Sequence, residues 1–189
     1  MSAAVLVGAD GRPRCPWAGS APEYVAYHDE EWGRELRGDD ALFERLCLEA
    51  FQSGLSWITI LRKRPAFREA FAGFLIERVA EFGPDDEARL LENAGIVRNR
   101  AKISAAIANA KVAAELSDGL SELLWSYAPS KQRRPKTVAD IPAISPESTT
   151  MARDLKKRGF RFVGPTTAYA LMQASGMVDD HLRDCWCAA

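Results

Sequence analysis

The sequence predicts an all-α protein. Apolar residues recur at helical spacing in successive runs, and Pro, Gly and Asp punctuate the ends of those runs. Neither a useful length of period-2 alternation nor an internal repeat of roughly 20 to 50 residues is present. The 189 residues are 47% hydrophobic and 27% charged, an ordinary globular composition long enough to bury roughly 70% of the unfolded chain's surface. A single domain over residues 15–189 is expected, preceded by an N-terminal extension over residues 1–14.

In chain order, residues 1–21 are rich in Gly, Pro and Ala and read as an extended arm. A short helix follows from Pro22 to Glu31, stopped by Gly33. Asp39 and Asp40 are expected N-caps of the next helix, with Gly54 at its end. Ser56 to Arg64 is helical and is expected to be cut by Pro65, with Ala66 to Ala72 as a separate helix. Pro84-Asp-Asp-Glu87 has the proline and acids of a first turn, and its helix runs to Asn93 before Gly95. Val97 to Leu116 is a long helix and Leu120 to Tyr127 a short one. Residues 128–146, with four prolines around Lys131 to Lys136, form a loop. Ser148 to Arg158 is helical, Gly159 to Gly164 is a turn, and Pro165 to Ala174 is helical with proline in first position.

Within the run from Leu42 to Trp57, Leu42, Leu46, Glu49, Ala50 and Ser53 fall on one side at 100° per residue, so a carboxylate is built into an apolar stripe. Removing it from water without a partner costs several kcal/mol, which points to a group that is paired, protonated or kept for a ligand. The alternative is a carboxylate at the edge of the stripe, reaching solvent or capping a neighbouring helix.

No apolar run approaches the roughly 18 residues of a membrane span, and the start lacks a basic region followed by a full apolar one. A cytoplasmic protein without membrane contact is expected, its four cysteines being reduced thiols or metal ligands. The net charge of -1 excludes a uniformly basic nucleic-acid coat. Locally the balance differs: Lys131 to Arg161 holds nine basic residues against Asp140, Glu147 and Asp154. That surplus suits phosphates, or is a solvated basic face. The glycines that bracket Gly159 to Gly164 would free backbone N–H groups at the start of the Pro165 helix, where an anion is favoured; the plainer reading is a tight helix–helix turn.

Only two histidines are present, and each has a cysteine in reach. Cys15-x12-His28 and His181-x3-Cys185 together make a Cys2His2 set, the second pair at the i, i+4 spacing of one helical face. Four protein ligands would make a structural zinc that ties the arm to the C-terminal region. The alternative is two unrelated core histidines with inert thiols, and Cys47 or Cys187 would serve as substitute ligands or buried thiols. Trp17, Tyr24, Tyr27 and Trp32 crowd into sixteen residues, and with Trp57 they either line a pocket that stacks a planar or cationic group or fasten the arm to the core.

Taken together, Cys15-Pro-Trp17, Tyr24 to Gly33, Leu48-Glu49, Gln52 to Trp57, Ala94-Gly-Ile, Lys157 to Gly164 and Asp180-His181-x3-Cys185 closely resemble the 3-methyladenine DNA glycosylase I family of bacteria. The match runs from Cys15 to Cys185, in order and at matching spacing. The resemblance implies a helix-hairpin-helix DNA glycosylase fold and one structural zinc per chain on Cys15, His28, His181 and Cys185. It also implies that Glu49 hydrogen-bonds the excised base as the catalytic carboxylate and that Tyr27 and Trp57 contact it. Trp17, Tyr24 and Trp32 fall at further aromatic positions of that pocket. Gly54 and Leu55 resemble the plug that enters the duplex, and Gly159, Val163 and Gly164 the phosphate-binding hairpin. The implied partners are double-stranded alkylated DNA and free 3-methyladenine as product, with the enzyme a monomer.

The implied chemistry is hydrolysis of the N-glycosidic bond of 3-methyladenine after base flipping, leaving an abasic site. Lyase chemistry is not expected, since no lysine follows the hairpin. Asp179 departs from the family pattern, which usually has asparagine there, and is expected to orient a neighbour or cap a turn. The competing function is a non-catalytic helix-hairpin-helix module that binds DNA or a modified base.

Overall fold

In the computed structural model residues 5–187 are described. Met1 to Ala4 of the predicted extension, and the last two residues of the predicted domain, lie outside the described residues. The arm contains two short strands rather than a single extended run. Strand β1 (Leu6–Val7) pairs antiparallel with β2 (Pro13–Arg14), with Leu6 opposite Arg14. Two residues per strand are too few for alternation to register in a sequence.

Beyond a 3-10 turn at Pro16–Ser20, the described residues are helical: α1 (Pro22–Glu30), α2 (Asp39–Gln52), α3 (Trp57–Ala70), α4 (Ile76–Ala80), α5 (Pro84–Glu92), α6 (Arg100–Ala114), α7 (Gly119–Trp125), α8 (Pro146–Lys157) and α9 (Pro165–Ala174). Short 3-10 turns also occur at Ala72–Phe74 and, inside the predicted loop, at Val138–Asp140. The expected helices are present with ends displaced by a few residues, and α4 is an addition.

Three local expectations are corrected. Asp39 and Asp40 do not cap α2, whose N-cap is Gly38. They sit in its first turn and cap other helices: Asp39 accepts from the Ser121 N–H of α7 at 2.7 Å and Asp40 from the Ile76 N–H of α4 at 2.8 Å. These are orphan donors at helix starts, so the two acids tie three helices together. Pro65 does not cut α3, which runs straight through it. The proline is on the exposed side, where water can take the carbonyl it frees, while Ile60, Phe67 and Ala70 keep the other side in the core. Finally, the Leu42 stripe is too narrow a description. Residues 45–51 of α2 are all buried, whereas Ser53 is exposed.

Helix α2 runs through the core with α3, α6, α7 and α9 packed around it. Phenylalanines fill the interior on one side, Phe51 against Phe67 at 4.7 Å and Phe71 stacked on Phe74 at 5.3 Å. A second, smaller cluster joins Cys15, Tyr27, Trp32, Ala174, Leu182 and Cys185, bringing the beginning and the end of the described chain together. Between the two, the segment after α1 docks on the end of α9, with Gly33 N–H donating to Gln173 O and Leu36 N–H to Ser175 O. Among the described residues no helix is long and apolar enough to cross a membrane.

Gly176 makes that docking possible. Its φ is +73°, and a Cβ there would lie 2.5 Å from the Arg34 carbonyl carbon. Gly176→Ala therefore combines left-handed strain with a backbone clash and should destabilise the protein by roughly 2 kcal/mol or more, read from the midpoint of denaturant unfolding.

Candidate functional site

A cavity of about 600 Å³ opens between α1, the end of α2, the start of α3 and α9. Its walls include Trp17, Tyr24, Tyr27, Trp32, Glu49 and Trp57, all six residues singled out in the sequence as acid and aromatic candidates. Ser20, Gln52, Val138, Ile141, Ala170 and Gln173 complete the lining. Gln52 stood in the sequence only as part of the Gln52 to Trp57 motif, and Gln173 carried no signal, because a polar residue near the end of a helix is usually solvated.

The aromatic rings meet mostly edge to face, Trp17 with Trp32 at 5.1 Å and with Tyr24 at 5.7 Å, while Tyr27 and Trp57 lie 5.4 Å apart. The two tyrosines are fixed from behind. The Tyr24 hydroxyl accepts from Ile58 N–H at 2.9 Å, and the Tyr27 hydroxyl accepts from Arg45 at 3.2 Å. Arg45 and Arg64 converge on Glu31, whose carboxylate they hold in place at 2.6 to 3.1 Å. Trp57 Nε1 is buried without a partner among the described residues, a donor at the cavity left for something else.

Glu49 is 6% exposed. Among the described residues its carboxyl makes no hydrogen bond or ion pair. Burial pushes its pKa up from 4.5 to about 7, opposed by the charge of Arg45 one turn away. The Glu49 carboxyl opens onto the cavity and not onto the outer edge of the helix stripe. An acid on the wall of an aromatic cavity, poised between its two protonation states, can accept hydrogen bonds from an N–H-bearing ring and counter a positive charge on it.

Both histidines, Cys15, Cys185 and Cys187 lie directly behind this cavity, whereas Cys47 is a buried thiol of the main core and joins neither group. One sulfur or nitrogen from each of Cys15, His28 and Cys185 falls within 4.8 Å of the others, with Cys185 Sγ 3.4 Å from His28 Nε2. His181 belongs to a second such group, with His28 and Cys187, and its ring packs against that of His28 at 5.0 Å. Residues 181–187 form turns, so the x3 spacing does not express a helical face here. Cys185 N–H instead closes a turn on Leu182 O.

Both histidines are oriented the same way. His28 Nδ1–H donates to Asp29 at 2.8 Å and His181 Nδ1–H to Asp179 at 2.9 Å, which leaves each Nε2 as an acceptor. His181 Nε2 is buried with no partner among the described residues. Asp179 also accepts from Arg134 at 2.6 Å, and although burial opposes ionisation, these hydrogen bonds hold its carboxyl below the ordinary value. Asp29 is held down to about 2: burial again opposes, and hydrogen bonds from Arg14, His28 and Trp186 outweigh it. The hydrogen bond between the Cys15 and Cys185 thiols pulls Cys185 below the ordinary thiol value and pushes Cys15 above it.

Gly54 and Leu55 lie outside the cavity, on the turn between α2 and α3. Gly54 has φ +81° and Leu55 is 41% exposed. Residues 159–164 join α8 to α9 and line a separate cavity of about 780 Å³ with Arg153 and Lys156. Val163 borders that cavity but is 8% exposed and packs into the core. The turn is held by Asn109, which was not singled out in the sequence: its side chain accepts from Arg161 N–H at 2.7 Å and donates to Arg161 O at 3.0 Å.

These features define a helical protein with an acid-bearing aromatic receptor for a flat, electron-poor ring, flanked by an exposed apolar turn and a basic helix–turn–helix face. The methyladenine glycosylase family model matches residues 17–188, and the chain belongs to that family. It is 41% identical to a DNA-3-methyladenine glycosylase of Haemophilus influenzae, over 92% of this chain and 97% of that one. It is also 41% identical to DNA-3-methyladenine glycosylase 1 of Escherichia coli, over 92% and 96%. Among solved structures, 3-methyladenine DNA glycosylase I of Staphylococcus aureus, described for its recognition of 3-methyladenine, aligns over 93% of this chain and 96% of that chain with a TM-score of 0.88 and 35% identity.

The state of Glu49 has a thermodynamic signature. Its folded pKa is raised, so folding is relatively favoured below pH 4.5, and that advantage is lost as the pH rises through about 7. Glu49→Gln should therefore raise Tm at about pH 8, by the equivalent of up to about 3 kcal/mol, and leave it unchanged below about pH 4. Thermal unfolding of both forms across that range checks this.

Proposed function

We propose that this protein excises 3-methyladenine from alkylated double-stranded DNA as a monofunctional glycosylase, working as a monomer and releasing the free base. The observation that carries the reading is the buried carboxyl of Glu49, without a protein partner, in a cavity otherwise walled by aromatic rings.

Methylation at N3 leaves the adenine ring positively charged, so the C1′–N9 bond is already weak. As it breaks, its electron pair passes to N9 and the base departs neutral. Water adds its oxygen to C1′ and gives up a proton. Tyr27 and Trp57 sandwich or flank the ring, Trp17, Tyr24 and Trp32 exclude solvent and favour the cation, and Glu49 accepts from the N–H groups on the base edge. The base reaches the cavity by flipping, at a cost that a damaged pair reduces. Leu55, behind Gly54, fills the gap in the stack. The backbone from Gly159 to Gly164 takes a phosphate at the start of α9 as the hairpin of a helix-hairpin-helix motif.

The donor set behind the cavity fits one structural zinc on Cys15, His28, His181 and Cys185. What supports it is the buried, unpartnered Nε2 of His181, the carboxylate on each histidine Nδ1, and the closeness of the ligand atoms of Cys15, His28 and Cys185. Bound there, the ion supplies a crosslink between the chain's two ends and no open position for water. Cys187 is left to His28 Nδ1 and Asp29 as a neutral thiol, its pKa raised by burial to about 12.

Incubation with methylated duplex DNA, followed by chromatography of the released bases, should yield free 3-methyladenine. Its absence would leave only a binding module. Glu49→Ala should slow release by roughly 10²-fold while duplex affinity is retained. Metal analysis of protein purified without chelator should find about one zinc per chain, and Cys15→Ala should lose it. A metal-free wild-type preparation would remove the zinc.

A further inference from the structure

Lys102 is the one buried lysine among the described residues, 8% exposed on the first turn of α6. A lysine out of water ordinarily has a carboxylate partner. This one has none among the described residues. Its Nζ donates instead to two backbone carbonyls across the fold, Phe51 O at 2.9 Å and Ser53 O at 2.5 Å. Its own backbone is fixed as well, because Asn99 caps α6 by accepting from Lys102 N–H at 3.1 Å.

The two carbonyls belong to the end of α2, where a helix leaves C=O groups without intrahelical partners. The turn itself closes two of them: Ala50 O accepts from Ser53 N–H at 3.3 Å, and Gln52 O from Leu55 N–H at 2.6 Å. Phe51 O and Ser53 O are the alternate pair, and Lys102 takes both. At the far side, Tyr24 holds Ile58 N–H. The turn over residues 53–56 is thus pinned at each end, while its four residues are exposed and nothing lies within 4 Å of where a Cβ on Gly54 would be. An ammonium ion at a helix C-terminus also complements the helix dipole.

We propose that Lys102 is a positioning residue for base flipping, holding the 53–56 turn in the shape that drives Leu55 into the duplex. This rests on the reading of Leu55 as the group that fills the stack. Prying a base out of a pair requires an apolar side chain that does not yield. With Lys102 gone, Phe51 O and Ser53 O turn to water, the turn gains alternative shapes, and the push is spent on rearranging the protein. Lys102 itself does not line the pocket that receives the base.

The test uses single-turnover excision by the full-length protein from two duplexes, one with 3-methyladenine opposite thymine and one with it opposite an abasic-site analogue, where no pair has to be broken. The readout is the ratio of the two rates. Lys102→Met should lower that ratio roughly tenfold or more relative to wild type. Leu55→Ala should lower it similarly, and Lys102→Arg, whose guanidinium can reach both carbonyls, should restore most of it. Affinity for free 3-methyladenine, measured by quenching of tryptophan fluorescence, should stay within about threefold in Lys102→Met. An unchanged ratio in Lys102→Met while Leu55→Ala lowers it would overturn the role of Lys102. An unchanged ratio in Leu55→Ala would overturn the reading of Leu55 itself. Should Lys102→Met fail to fold, Lys102→Gln carries the test: a ratio lowered toward that of Leu55→Ala supports the proposal, and a wild-type ratio overturns it.

Discussion

A largely buried carboxyl group that has no protein partner among the described residues and opens only onto the aromatic cavity is the constraint around which this molecule is arranged. Glu49 reaches that state only because α2 is enclosed on nearly every side by α3, α6, α7 and α9. The enclosure leaves Glu49 a single opening, the aromatic cavity, and it is burial on the remaining sides that raises its pKa. Asp39 and Asp40 tie that enclosure at the start of the helix, and Lys102 ties it at the end. Arg45, one turn from Glu49, is drawn off by Tyr27 and Glu31 and is not left to neutralise the acid.

The same reasoning separates what could be read from the sequence from what could not. Glu49 was legible because a charge in an apolar stripe violates a local rule, and the tryptophans and tyrosines were legible because they crowd. The hairpin of β1 and β2 was not, being held by tertiary contacts: Arg14 is gripped by Asp10 and Asp29, and Arg12 lies over Trp186. Pro65 was misread because its cost depends on whether water reaches the carbonyl it frees. The carboxylates on His28 and His181 lie one and two residues from their histidines in sequence, yet acids near histidines are too common for the pairing to stand out. Lys102, Asn109 and Gln173 matter only through groups about fifty residues or more away in the chain, or through the cavity they border, and no periodicity encodes that.

The aromatic cavity and the cysteine–histidine cluster are one continuous body. Trp32 lies 4.7 Å from the His181 ring and Trp17 lies 5.3 Å from that of His28, so two walls of the cavity are also the packing of the two histidines. Gly33 completes the contact: a Cβ there would sit 2.6 Å from the His181 ring. A change in how the histidines are held is therefore a change in cavity shape, without any hinge between them.

The meeting of the two chain ends also has a mechanical meaning. Trp186 N–H donates to Pro13 O, Trp186 Nε1 and Arg14 both donate to Asp29, and Leu182 N–H points at Cys15 Sγ. A tensile load applied through residues 5 and 187 would meet these bonds first. The helices that shape the cavity lie inside the loop that the bonds close, so they bear no tension until the clasp has parted.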